Sequence, residues 1–87
     1  MYFLAVYDVN TDRVAKMLKL FRRYLTWVQN SVFEGELTKA QYAQLKDEAE
    51  ALMEEEEDSV IFYGLRDERF VDRETLGEEP GEVGRFL

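Results

Sequence analysis

A lone carboxylate, Asp8, closes the apolar run Met-Tyr-Phe-Leu-Ala-Val-Tyr, and Arg13 then opens a series of cations, Lys16, Lys19, Arg22 and Arg23, at helical spacing. The 87-residue chain has no His and no Cys, which removes an imidazole base, a thiolate nucleophile, a Cys/His zinc site and a disulfide framework. What remains for chemistry is carboxylates, hydroxyls, Arg, Lys and hard divalent ions such as Mg²⁺, which take oxygen ligands. An Asp where a central strand surfaces stands on the rim on which ligands and catalytic groups collect in sheets flanked by helices. The same residue type also serves as a plain acceptor of backbone N–H groups in strand-to-helix turns. Both readings of Asp8 stay open at this level, as do a phosphate-facing and an ordinary solvated role for the basic series.

The elements that must position these groups follow from periodicity. The uncharged, β-forming run 1–7 has no polar side, so it reads as a central strand covered on both faces. Asn10, Thr11 or Asp12 can cap a helix whose apolar positions Val14, Met17, Leu18, Phe21, Tyr24 and Leu25 share one side of the wheel, with the cations on the other. Residues 26–29 and 31–36 read as two short strands joined by a tight Asn30-Ser31 turn, with Val32, Glu34 and Glu36 on one face of the second. Gly35 marks a bulge or a close backbone approach there. Thr38 and Gln41 match a capping box that opens a second helix with the stripe Tyr42, Leu45, Ala49, Leu52 and Met53, ending in Glu54-Glu55-Glu56-Glu57. Residues 60–65 form another apolar run, expected to be a central or well-covered strand.

That order, βαββαβ, is α+β and gives a ferredoxin-like split βαβ sandwich with both helices on one sheet face. The other face is left bare, and the aromatic residues are too many to leave in water, so a second protomer is expected to cover it. Residues 69–76 alternate enough for an additional C-terminal edge strand, free to join the parent sheet or a partner's edge. Residues 78–87 read as a turn-rich acidic tail. The expectation is one domain over 1–87, with 70–87 packing on the partner protomer.

The net charge of −8 hides a division: residues 1–46 carry seven Lys/Arg against four Asp/Glu, whereas 47–87 carry four against fifteen. Screening over roughly 8–10 Å lets a locally basic face attract a polyanion despite the total. No apolar run approaches the roughly twenty residues that span a bilayer and no signal-peptide pattern appears, so a cytoplasmic protein without a membrane partner is expected.

Tyr7-Asp8, Arg13, the string Gln29-Asn30-Ser31-Val32-Phe33-Glu34-Gly35-Glu36-Leu37-Thr38, then Gln41, Leu45 and Glu56-Glu57-Asp58-Ser59-Val60 resemble the CRISPR-associated adaptation protein two family over about residues 1–65. The resemblance implies a ferredoxin-like homodimer, a metal-dependent (Mg²⁺ or Mn²⁺) endonuclease acting on RNA or DNA, and assembly with the CRISPR integrase on duplex DNA during spacer acquisition. It makes Asp8 the metal-binding acid, Arg13 a phosphate-contacting or supporting base, and Ser31 and Phe33 neighbours of the catalytic cleft. Two departures stand out: the turn from Asp8 to Arg13 is short for the family, and Trp27 occupies a position that is often basic.

Phosphodiester hydrolysis without His has a physical route of its own, since Mg²⁺ lowers the pKa of a bound water and neutralises phosphate. A two-fold axis near the strand end would bring a second Asp8, and two close carboxylates seek a cation between them. The expectation is therefore an endonuclease with Asp8, Arg13, Ser31 and Phe33 at its site and Arg13, Lys16, Lys19, Arg22 and Arg23 on nucleic acid. The alternative is a non-catalytic, DNA-binding dimeric adaptor that bridges integrase dimers; a ferredoxin-like metabolite-binding domain is a third class, for which no polar ligand loop is visible.

Overall fold

The first strand takes the middle of the sheet, as a run without a polar side must. The computed structural model describes residues 1–77 and comprises β1 (Tyr2–Asp8), α1 (Thr11–Arg22), β2 (Thr26–Gln29), β3 (Val32–Glu36), α2 (Lys39–Leu52), β4 (Ser59–Leu65) and a 3₁₀ turn at Glu68–Phe70. The sheet order is β2-β3-β1-β4 with every pair antiparallel, the ferredoxin-like arrangement, and both helices lie on one face.

Alternation along β1 decides which side chains meet the helices. Phe3, Ala5 and Tyr7 point into a core completed by Met17, Leu20 and Phe21 of α1, Phe33 of β3, and Leu45 and Ala49 of α2. Phe3 stacks on Tyr42 at 4.3 Å, and Phe21 lies 5.2 Å from Tyr7 and 5.5 Å from Phe33. The helix starts are capped locally: the Asn10 side chain accepts from the Asp12 amide, and Thr38 and Gln41 close a reciprocal capping box. Leu20, outside the apolar stripe read from the sequence, is buried, whereas Val14 on that stripe is exposed. Gly35 is a close approach rather than a bulge, since a Cβ there would come within 3.1 Å of the Leu25 side chain; the irregularity falls opposite, in β2 between Trp27 and Gln29.

Three expectations give way. The apolar run 60–65 belongs to an edge strand, β4, and its alternation buries only one side; Ile61 and Tyr63 stay about half exposed on the other. Glu54 to Glu57 do not prolong α2, which ends at Leu52; the amides of Glu57 and Asp58 close onto the Glu54 carbonyl, so the four acids sit on a tight exposed turn. Residues 69–76 add no strand to the parent sheet: the Asp67 carboxylate accepts from the Arg69 amide and winds the first residues into the 3₁₀ turn. Arg73 then pairs with Glu34 on the sheet face away from the helices, so the segment crosses that face instead of following an edge. The expected acidic tail, residues 78–87, lies outside the described residues.

Candidate functional site

Three turns converge at the end of β1 where Asp8 sits. The β4 register places Ser59 opposite Asp8, the Tyr7 amide donates to the Ser31 carbonyl at 3.1 Å, and the chain leaving β1 passes through Val9 and Asn10 into α1. The positive φ of Asn30, 44°, lets the β2–β3 connection turn tightly enough to bring Ser31 beside β1, and Asn tolerates that left-handed region better than most residues. By the alternation of β1, Asp8 shares with Leu4 and Val6 the face that the helices leave uncovered. Its side chain is exposed, and among the described residues its carboxylate accepts no hydrogen bond and joins no ion pair.

The turn-acceptor work that Asp8 could have done is done by Asp58. Its side chain is fully buried and receives the Asn10 amide at 2.8 Å, the Glu54 amide at 2.8 Å, and Arg13 Nε and Nη2 at 2.6 and 3.1 Å. These bonds hold the Asp58 carboxyl well below the usual carboxylate range, with the Arg13 guanidinium the largest cause, and in return raise Arg13 further. Glu57 adds a second contact, accepting from Asn10 Nδ2 at 3.1 Å and lying 3.5 Å from Arg13 Nη2. Sequence reasoning did not single out Asp58, which stands at the end of an acidic run where any one carboxylate looks like the others. Its signals were its place immediately before the apolar run of β4 and its presence in the Glu56-Glu57-Asp58-Ser59-Val60 stretch that shares in the family resemblance.

The basic series does not form one surface with Asp8. Arg13 is committed to Asp58 and Glu57, and its side chain is only 20% exposed. Lys16, Lys19 and Arg23 rim a cavity of about 590 Å³ between α1 and α2, floored by Leu20, Ala51 and Leu52, on the helical side of the sandwich. Arg23 pairs there with Glu48, which also accepts from Tyr24; the phenol is the main cause of a lowered Glu48 carboxyl. Arg22 lies 5.7 Å from the Trp27 ring centroid, so the residue that replaces a frequent base is itself an aromatic platform for a cation. Lys16 and Lys19 make no ion pair among the described residues. Phe33 is a core residue with no exposed surface, sealed beneath the sheet by Tyr7 and Phe21, so it cannot touch a substrate; Ser31 is half-buried beside β1.

A carboxylate that is exposed, and unpaired among the described residues, is thus set at the end of β1 on a ferredoxin-like sheet. The family model described as CRISPR associated protein Cas2 matches residues 1–73. The chain belongs to the Cas2 family. Cas2 relatives named CRISPR-associated endoribonuclease include one from Thermotoga maritima, 55% identical over 97% of both chains, and one from Dictyoglomus turgidum, 52% identical over the full length of both. A solved Cas2 crystal structure superposes with a TM-score of 0.83 at 44% identity, covering 91% of this chain and 88% of that one. Streptococcus pyogenes Cas2 gives 0.75 at 39% identity, covering 88% of this chain and all of the other.

The metal implied by the Cas2 resemblance has to suit the donors present. Among the described residues, no group of three or more acidic, His or Cys side chains forms a cage. Mg²⁺ keeps most of its waters and needs only one or two carboxylates, so a solvent-facing Asp8 without a partner among the described residues fits as one such ligand.

Proposed function

We propose that this chain hydrolyses RNA or DNA phosphodiesters with a divalent cation, Mg²⁺ or Mn²⁺, held at Asp8 in a symmetric homodimer, and that it works with the CRISPR integrase in the cytoplasm. Kinship with proteins named CRISPR-associated endoribonuclease makes it a CRISPR-associated nuclease. The observation that carries the metal reading is the Asp8 carboxylate itself, exposed at the end of the central strand and unpaired among the described residues. A bound Mg²⁺ supplies an activated water and neutralises phosphate charge. Asp8 would hold that ion, while the backbone of β1 fixes the carboxylate's position. The half-exposed Ile61 and Tyr63, on the same uncovered face, support a second copy against that face and hence a second Asp8 near the first.

The test is incubation of the protein and its Asp8→Asn variant with labelled RNA and duplex DNA, with Mg²⁺ or with chelator. Cleavage that needs the metal and falls by orders of magnitude in Asp8→Asn is expected. Equal activity of variant and parent would overturn the assignment.

A second reading, a non-catalytic dimeric adaptor bridging integrase dimers on duplex DNA, draws on one observation: Arg13, the cation nearest Asp8 in sequence, is spent on Asp58, whereas Lys16 and Lys19, on the helical side, make no ion pair among the described residues. Duplex binding without metal-dependent cleavage would favour it.

A further inference from the structure

Among the described residues no side chain supports Asp8, so its position is set by the backbone at the end of β1. Strand ends fray, and here the ladder stops at the Asp8–Ser59 pair. Beyond that pair both chains leave the sheet, one through Asn10 and the other arriving from Glu54 to Asp58. The Asp58 carboxylate is the buried group that ties them together, with Glu57 adding an exposed contact to Asn10 Nδ2 at 3.1 Å. The Asp58 carboxylate, immediately before Ser59, takes the Asn10 amide, two residues past Asp8, at 2.8 Å and the Glu54 amide at 2.8 Å. Arg13 then clamps both of its oxygens, with Nε on Oδ2 at 2.6 Å and Nη2 on Oδ1 at 3.1 Å.

From this geometry we infer that Asp58 is a positioning residue for Asp8: clamped by Arg13, it pins the two turns that flank the Asp8–Ser59 pair and so fixes where the metal-holding carboxylate stands. The inference rests on the reading of Asp8 as the metal ligand. It assigns Arg13 a role through Asp58 and not on the phosphate. The bonding is fitted to fixing a position, because the carboxylate has four donors arranged around it and no contact with water. A divalent ion tolerates only small displacements of its ligands, which is why partners that orient a ligand cost about 10- to 100-fold in metal affinity when removed. Asp58 differs from such partners in acting on the ligand's backbone instead of its side chain.

The experiment measures Mn²⁺ binding by titration calorimetry for the parent, Asp8→Asn, Asp58→Asn and Arg13→Lys, at a temperature where circular dichroism shows all four folded. Metal-dependent cleavage is followed on the same samples. Asp58→Asn keeps the shape and loses the charge; Arg13→Lys keeps the charge and loses the two-pronged clamp. The expected result is Mn²⁺ binding about tenfold or more weaker in Asp58→Asn, a smaller loss in Arg13→Lys, and a cleavage rate in Asp58→Asn that recovers in part at high Mn²⁺. A merely stabilising Asp58 would lower the thermal midpoint and leave the Mn²⁺ affinity of the folded protein unchanged, which overturns the inference. If Asp58→Asn does not fold, Arg13→Lys decides by the same affinity criterion. Parent-like Mn²⁺ binding by Asp8→Asn would overturn the metal reading and this inference with it, whereas loss of binding in Asp8→Asn with parent-like binding in both clamp variants would overturn this inference alone.

Discussion

The double variant Ile61→Ser, Tyr63→Ser should dissociate the proposed homodimer while leaving the protomer folded. Ile61 is 48% exposed and Tyr63 52% exposed in the single chain, and neither belongs to the buried cluster that the helices close. Full burial of such side chains is worth about 1.5–3 kcal/mol each, so covering the remaining half yields roughly 1 kcal/mol per side chain. Two side chains on each of two symmetric protomers give roughly 4 kcal/mol, which is about three orders of magnitude in the dimer dissociation constant. Sedimentation equilibrium over nanomolar to tens of micromolar protein reads that constant directly, with far-ultraviolet circular dichroism as the control for folding. A parent that stays a monomer at tens of micromolar, or a double variant with the parent's dissociation constant, would refute the assignment of this face to a second copy.

Acid should selectively weaken the Asp58 clamp. The Asp58 carboxyl is lowered in the folded state, so its contribution is fully present above the ordinary carboxylate pKa, about 4, and is lost as pH falls through the folded value. The Tm gap between the parent and Asp58→Asn should therefore narrow on acidification, and a gap independent of pH would contradict the charge-based account. Leu45→Ala, at a position with no exposed surface between α2 and the sheet, should cost about 3 kcal/mol by denaturant titration, or a Tm drop of roughly 15 °C. Lys16→Glu with Lys19→Glu should weaken duplex binding and lower the log–log salt slope by about 0.9 for each phosphate that is no longer neutralised; an unchanged slope would move the nucleic-acid surface off the helical side.

Much of the fold was legible because it depends on local pattern. The uncharged run of β1 read as a central strand, the Asn10-Thr11-Asp12 stretch and the Thr38/Gln41 box announced the two helix starts, and the βαββαβ order leaves few sheets to build. The family was legible too, in the string from Gln29 to Thr38. Asp8 was legible as a group at a strand end. Its company was not. Periodicity places Lys16 and Lys19 on a helix face, but it cannot say that the sandwich sets that face on the far side from Asp8, because that depends on which side of β1 the helices cover. The family resemblance implied that Phe33 neighbours the cleft, whereas the pairing of Ala5 with Phe33 points its ring into the core. Residues 69–76 alternate as a strand would, but the Arg73–Glu34 pair draws this segment across the sheet face and away from the edge strands β2 and β4. Asp58 was the least legible of all, one acid among many until the fold brought Asn10, Arg13 and Glu54 around it. Spacing along a chain specifies which residues share an element, whereas the partners of a buried charge are set by packing between elements far apart in sequence, and only the folded structure specifies those.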